Sequence, residues 1–198
     1  MTAKGYLTSD LLKNLKDITL ANIVFIEKKC AHLGENQFTW RESKDTWSIQ
    51  EVLAHVNSYS NYYNPLFSYK IDKTKFKPGK KYFASSHLGK SAWGSMKLGK
   101  ANNLKRKFRA VKQYNPSLSP ELVTEDSLEQ FIIYQNEMLT ILDKAAEVNM
   151  KKVKIPNSIS KLIRLRLGDA LMFAVYHAER HVQQIKNILN HKNFPKKA

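Results

Sequence analysis

Apolar positions recur at three- and four-residue steps in four segments of this chain, which is the pattern of amphipathic helices. The first segment runs from about Ser9 to Leu33, with Ser9 or Asp10 as candidate caps and Gly34 as its stop. Its buried face is expected to hold Leu11, Leu12, Leu15, Ile18, Ile23, Phe25, Ile26 and Cys30. The spacing therefore predicts one long first helix.

The second helix has the clearest start in the chain, because Ser48 and Glu51 form a capping box. Trp47 precedes the cap, where its ring can pack on the first helical turn. Pro65 predicts an end or a kink of this helix. Its buried stripe is expected to hold Ile49, Val52, Leu53, Val56, Tyr59 and Tyr63.

Two further helices follow in the second half of the chain. The third is predicted to begin between residues 120 and 127 and to run to about Val148. The fourth is predicted to begin at Gly168-Asp169, with Asp169 as its N-cap, and to end near Asn190. The inner face of the fourth helix is expected to hold Leu171, Ala174, Val175, Ala178, Val182, Ile185, Ile188 and Leu189.

Two long connections separate these helices. The periodicity fades from about Lys70 to Lys112, which predicts a crossover with one short helix around Leu104 to Val111. Residues 151–167 form the second connection, and no strand pattern competes with the helices. Four amphipathic helices with two long crossovers predict an all-α four-helix bundle. We expect one domain over residues 1–198, with a basic crossover insertion at about 70–120.

The composition adds a strong positive charge to this picture. The 198 residues include 33 Lys and Arg against 17 Asp and Glu, which gives a net charge of +16. The stretch from Lys70 to Lys112 alone carries +13, because Asp72 is its one acidic residue. The rest of the chain is nearly balanced, at +3. The excess charge therefore belongs to the crossover rather than to the helical bundle.

Several classes of protein are excluded or disfavoured by the same counts. Cys30 is the only cysteine, which rules out an internal disulfide and fits a reducing cytosol, so a cytoplasmic location is expected. No apolar run approaches the roughly 20 residues of a membrane span, and the N-terminus lacks the apolar core of a secretory signal. No glycine-rich phosphate-binding motif occurs.

Three histidines border the predicted apolar faces. His177 and His181 are four residues apart on the fourth helix, so both imidazoles lie on one face, one turn apart, as a pair able to bind a divalent metal. His55 borders the stripe of the second helix. An ordinary hydrogen-bonded core role is the alternative for each. The sequence does not match the zincin motif, because Ala178 occupies the position where that motif has glutamate.

The segments around these histidines resemble the two signatures of the DinB-like superfamily of bacterial four-helix bundles. WSIQEVLAHV follows the pattern Trp-Ser-x-x-Glu-x-x-x-His, and LGDALMFAVYHAERHVQQI contains His-x-x-x-His-x-x-Gln. The family includes metal-dependent hydrolases and thiol-dependent transferases. The matching residues are Trp47, Ser48, Glu51, His55, His177, His181 and Gln184.

The resemblance implies that His55, His177 and His181 bind a catalytic divalent metal with open positions for water or substrate. Zinc is the default, and nickel, iron and manganese also suit histidine. No general base is evident, since Glu51 already has its capping role. The candidates for residues that support the ligands or line the cavity are Gln184, Glu51, Tyr59, Tyr62 and Gln135, and ordinary core packing is the favoured role for the last three.

Three functions compete at this point. The first is a metal-dependent hydrolase or thiol-linked transferase, acting on a small-molecule substrate with a low-molecular-weight thiol as one candidate. The second is a nucleic-acid or acidic-partner binder, suggested by the charge and by Tyr82, Phe83, Trp93 and Phe108 among lysines. A solvated lysine-rich crossover is favoured over that reading. The third is a non-catalytic bundle, metal-stabilised or metal-free, that forms a homodimer or another interaction module.

Overall fold

Four long helices carry the core of the protein, in a computed structural model that describes residues 5–99, 101, 103, 108–160 and 162–196. They are α1 (Thr8–Cys30), α3 (Ile49–Lys73), α5 (Ser127–Ala145) and α6 (Leu167–Leu189). Two shorter helices, α2 (Glu35–Phe38) and α4 (His87–Met96), lie in the connections. The predicted all-α four-helix fold is confirmed.

The helix directions explain why one connection is long. Asn57 and Asn64 of α3 donate to the carbonyls of Ser127 and Tyr134 of α5, at 2.8 and 2.9 Å, so these helices run parallel. The chain must therefore return along the whole bundle between them, and residues 74–126 do this. Helix α6 runs antiparallel to α3, because Trp47 lies against His181 while Tyr63 lies against Phe173. Helix α1 contacts both α5 and α6.

The apolar faces of the four helices meet in two buried clusters, which is the arrangement that amphipathic spacing predicts. The larger cluster includes Leu15, Phe67 and Leu142, all with no exposed surface. The smaller one lies nearer the start of α3 and includes Leu53, Phe131 and Ile185. Phe83, from the long crossover, is also buried in the larger cluster, so part of the crossover belongs to the core.

Several helix boundaries differ from the prediction. Helix α1 begins at Thr8 after an extended Leu7, so neither Ser9 nor Asp10 caps it. Of the end or kink predicted at Pro65, the end is wrong, because α3 continues to Lys73. Because proline has no N–H, Pro65 leaves the carbonyl of Asn61 without its helical hydrogen-bond donor. Both residues are exposed, so water can bond to that carbonyl instead.

The crossover contains a helix that the sequence pattern did not indicate. Helix α4 packs on α6, and Ser86 caps it by accepting from the N–H of Gly89 at 2.9 Å. Of the short helix predicted over Leu104 to Val111, residues 104–107 lie outside the described residues and 108–111 are not helical. The glycines within α4 obscured its periodicity.

Asp169 anchors α4 instead of capping α6. It has no exposed surface, lies inside the first turn of α6, and accepts from the backbone N–H and hydroxyl of Ser86 at 3.1 and 2.9 Å. Gly89 permits this contact, because a Cβ there would lie 2.0 Å from the Asp169 carboxyl. The predicted N-cap role of Asp169 is therefore wrong.

Two short antiparallel ribbons complete the described fold, although no strand was predicted. Strands β1 (Tyr6–Leu7) and β2 (Tyr82–Phe83) pair across the start of α1. Strands β3 (Lys154–Pro156) and β4 (Arg164–Arg166) pair in the connection before α6. Within the described ranges, no helix combines the length and the apolar character that crossing a bilayer requires.

Candidate metal centre

The three predicted histidines meet inside the bundle, between the two apolar clusters. His55 lies on the second turn of α3, and His177 and His181 lie one turn apart on the antiparallel α6. Their exposed fractions are 3%, 5% and 8%. Their ring centroids are 4.6 to 5.1 Å apart, and each can offer a nitrogen within 4.8 Å of the other two.

Two hydrogen bonds orient these rings. His55 Nδ1 lies against the backbone carbonyl of Tyr114, and His181 Nδ1 lies 3.0 Å from the side-chain oxygen of Gln184. Because both oxygens are acceptors, each Nδ1 must carry the proton as a donor. Each Nε2 is then left with a lone pair, which is the protonation state that a metal ligand requires.

The spacing of the nitrogens fits a shared metal ion. His55 Nε2 and His177 Nε2 are 3.2 Å apart. Two imidazole nitrogens bound to one tetrahedral zinc at about 2.0–2.1 Å would lie roughly 3.3 Å apart. Among the described residues, His55, His177 and His181 form the group of potential ligands whose donor atoms lie close enough together to share a metal ion. Three neutral ligands leave coordination positions for water or substrate.

Burial keeps the histidines neutral. It lowers the pKa of His55 to about 4, although the bond to Tyr114 acts in the opposite direction. Burial also lowers the pKa values of His177 and His181 well below their ordinary range, and the charges of the neighbouring imidazoles add to this effect. Neutral imidazoles at physiological pH are ready to coordinate a cation without first losing a proton.

Aromatic rings enclose the histidine cluster on several sides. The ring of Trp47 lies 4.9 Å from that of His55, and Tyr59 lies 4.4 Å from His177. Phe173 stacks on His177 at 5.8 Å with an interplanar angle of 14°. Trp47 is half-buried, and its indole N–H donates to Ser117. These rings exclude water and strengthen electrostatic interactions at the site.

Glu51 does not reach the histidines, because both of its carboxylate oxygens are engaged at the start of α3. One accepts from the N–H of Ser48 at 2.9 Å, and the other accepts from Arg41 at 2.7 Å. Ser48 in turn accepts from the N–H of Glu51, so the predicted capping box is present. These bonds give Glu51 a structural role.

The remaining candidates divide between the site and its surroundings. Tyr62 is directed elsewhere, since its hydroxyl donates to the carbonyl of Asn157 at 3.4 Å. Gln135 is buried and lines a cavity of about 10 Å³ together with Tyr59 and His177. Such a cavity has room for about one water molecule. His32 and His87 are exposed, and His191 is half-buried beside Trp40, so none of them belongs to the cluster.

Sequence reasoning missed two contributors to the site. The carbonyl of Tyr114, at the end of a short 3-10 helix in the crossover, orients His55, but a backbone atom leaves no trace in residue type or spacing. Phe173 stacks on His177 from one turn earlier on α6, and its i, i+4 spacing could have indicated the contact. Arg180 lies between His177 and His181 in sequence and is buried. Its guanidinium lies 5.3 Å from the centre of the Phe108 ring.

Comparison with known proteins yields one match. The family model described as the DinB superfamily matches residues 27–185, which include all three histidines, Gln184 and the capping box. Comparisons with curated proteins and with solved structures gave no significant match.

Proposed function

We propose that this chain, which belongs to the DinB superfamily, is a divalent-metal-dependent enzyme whose metal is held by His55, His177 and His181. The observation that carries the proposal is the convergence of three buried histidines, two of them with Nε2 left free by a bond at Nδ1. Three neutral ligands with an unfilled position are the arrangement of a catalytic rather than a closed structural site.

The proposed reaction is a hydrolysis or the transfer of a group to a low-molecular-weight thiol. A divalent metal in such a site supplies Lewis acidity, which lowers the pKa of water or of a thiol and polarises a carbonyl. The side chains of the site do the rest. Tyr114 and Gln184 hold two imidazoles in position, and Trp47, Tyr59 and Phe173 exclude bulk water.

Zinc is the first choice of metal, and nickel, iron and manganese are the alternatives. All four accept imidazole nitrogen, so the ligand types do not separate them. The 3.2 Å spacing of the His55 and His177 nitrogens is compatible with tetrahedral zinc.

A metal-stabilised bundle without catalysis is the second candidate. It is favoured by the small size of the adjoining cavity, about 10 Å³, which leaves no room for an organic substrate unless side chains move. The half-buried Trp47 lies between the cluster and the surface, so its movement would provide access.

The test compares turnover with and without metal. Protein loaded with zinc, nickel or manganese is incubated with nitrophenyl esters, and separately with cysteine and an electrophilic acceptor. We expect product release or thiol consumption in at least one reaction. Activity should disappear on chelation and return when the metal is restored.

Two matched substitutions sharpen the result. His181→Ala should abolish both metal binding and turnover, because it removes one of three ligands, while His191→Ala should leave both unchanged. Bound metal without turnover in either reaction class would contradict an enzymatic role and favour the non-catalytic bundle. Turnover that persists in His181→Ala and after chelation would contradict the metal-dependent mechanism.

A further inference from the structure

Two lysine-rich segments meet at the end of the bundle that lies away from the histidines. Residues 73–81 begin at the last residue of α3, and residues 144–154 begin in the last turn of α5. Together they hold nine lysines and one acidic residue, Glu147. The lysines of this surface, here called the lysine end, are Lys73, Lys75, Lys77, Lys80, Lys81, Lys144, Lys151, Lys152 and Lys154.

Direct contacts join the two segments. The N–H of Asn149 donates to the carbonyl of Phe76 at 2.8 Å, and the ammonium of Lys152 lies 5.5 Å from the centre of the Phe76 ring. Gly79 packs so closely on the backbone of Ala146 that a Cβ would not fit. About 70 residues separate these segments in sequence, so their charges add only in the folded protein.

Helix chemistry does not account for this charge. Lys73 and Lys144 lie in the last turns of α3 and α5, where a cation offsets the helix dipole. The other seven lysines lie outside the helices. All nine are exposed, and among the ion pairs of the described residues only Lys144 has an acidic partner, Asp72 at 3.6 Å. Nine lysines against Glu147 and the adjoining Asp72 and Asp143 leave this end of the bundle with a net charge of +6.

Exposed tyrosines flank the lysines. Tyr82 is 49% exposed, with the ammonium of Lys81 at 5.8 Å from its ring, and Tyr69 is exposed one turn before Lys73. Phe83 and Trp93, which the sequence also suggested for stacking, are buried and do not serve this purpose. Positive charge with exposed aromatic faces is the combination that binds single-stranded nucleic acid.

We propose that the lysine end binds single-stranded nucleic acid, with lysines contacting successive phosphates and Tyr82 stacking on a base. The surface carries no arginine within its two segments, which suits contacts to phosphate without reading of sequence. It lies 18 residues along α3 from His55, about 27 Å, so it is separate from the histidine cluster.

A protein or a membrane fits the surface less well. Neither segment has an exposed large aliphatic side chain among its described residues, so the surface offers no aliphatic group to insert into lipid. Protein interfaces concentrate their affinity in buried aromatic and arginine anchors within an apolar patch. The lysine end instead has exposed lysine side chains with the rings of Tyr69 and Tyr82 beside them.

The test measures binding of labelled oligo-dT and oligo-U, each of about 20 nucleotides, by the full chain across a salt series. We expect binding at about 50 mM salt that weakens steeply as salt rises, since released counterions drive it. The triple variant Lys75→Glu, Lys80→Glu, Lys151→Glu should bind at least about tenfold more weakly. Its salt slope should be shallower by about 2, from about 0.7 per lost phosphate contact.

The matched control reverses three exposed lysines at the opposite end, with Lys28→Glu, Lys44→Glu and Lys192→Glu. It changes the net charge equally and should weaken binding less than about threefold, with circular dichroism melting to show that both variants fold. Tyr82→Ala should weaken binding with an unchanged salt slope, since it removes stacking and no charge.

Three results would overturn the proposal. They are no binding of either oligonucleotide at about 50 mM salt, equal weakening by the two triple variants, and tighter binding of anionic phospholipid vesicles than of oligonucleotides. A preference for oligo-dT or for oligo-U would support it and would identify the natural ligand as DNA or RNA.

Discussion

Gln184 lies beside His181 and forms a directional polar bond with its imidazole ring. Its oxygen accepts from Nδ1 of His181 at 3.0 Å. That bond fixes the tautomer and the rotation of the ring, so Nε2 is directed to the other two imidazoles. Such supporting bonds tune metal affinity although they never touch the metal.

We predict that Gln184→Ala lowers zinc affinity by about 10- to 100-fold while the fold is kept. Gln183→Ala is the matched control, because the Gln183 amide donates to Asn187, away from the cluster, and its removal should leave affinity unchanged. Competition with a chromogenic chelator measures both. Equal affinity in the two variants would contradict the orienting role of Gln184.

The buried histidines also predict how stability depends on pH once the metal is removed. Burial lowers the pKa of His55 from 6.5 in the unfolded chain to about 4. Between these values the unfolded chain binds the proton and the folded protein does not, so stability is full above about pH 6.5 and falls as the pH drops. His177 and His181 shift in the same direction.

Chelator-treated protein should therefore lose about 2 kcal/mol of unfolding free energy from His55 alone between about pH 7 and about pH 5. Urea unfolding at the two pH values measures this loss. His55→Asn should reduce the loss, while His32→Asn, at an exposed position, should not. A wild-type free energy that stays constant over this range would contradict the burial of neutral imidazoles.

The sequence could identify the three histidines because helical periodicity brings residues four apart onto one face. It also indicated Gln184 as a supporting residue, but it could not identify the contacts that come from the connections between helices. The Tyr114 carbonyl ends a short 3-10 helix (Lys112–Tyr114) in the long crossover, and the contact of Trp47 with His55 crosses the turn at the capping box. These contacts depend on how loops fold back onto the helices, which spacing along one helix does not encode.

At the scale of elements, the start of α3 decides where His55 lies. The box formed by Ser48 and Glu51 fixes the first turn, and Arg41 secures the Glu51 carboxylate from the preceding loop. His55 follows within two turns of this anchored end. A well-defined helix start therefore positions a ligand precisely against α6.

We predict that Ser48→Ala costs about 1 kcal/mol of stability, because the N–H of Glu51 loses its acceptor. Ser9→Ala should cost less than about 0.5 kcal/mol, since Ser9 lies inside α1 and is exposed. Urea unfolding of both variants makes the comparison. A larger cost at Ser9 than at Ser48 would contradict the assignment of the caps.

The four long helices follow from sequence because their apolar stripes and one strong cap are local signals. Helix α4 does not, since its short length and two glycines weaken the pattern, and its position depends on Asp169 more than 80 residues away. The continuation of α3 past Pro65 depends on the exposure of Asn61, which is a tertiary property. Local rules fail where a distant contact or solvent decides the outcome.

At the scale of the whole molecule, two chemistries occupy opposite ends of one bundle. The histidines lie in a dry, aromatic environment near the start of α3, and the lysine end surrounds the ends of α3 and α5. The excess charge of +16 therefore bears little on the histidine chemistry. Part of the positive surface comes from residues 144–154, which lie outside the crossover. Folding brings these residues next to residues 73–81.

The central claim is that the three histidines bind one divalent metal, and elemental analysis of protein purified without a metal-affinity tag tests it most directly. We predict about one zinc, nickel, iron or manganese ion per chain, and its loss in His181→Ala but not in His191→Ala. Protein that carries no divalent metal, and takes up neither zinc nor nickel when these are added, would contradict the claim.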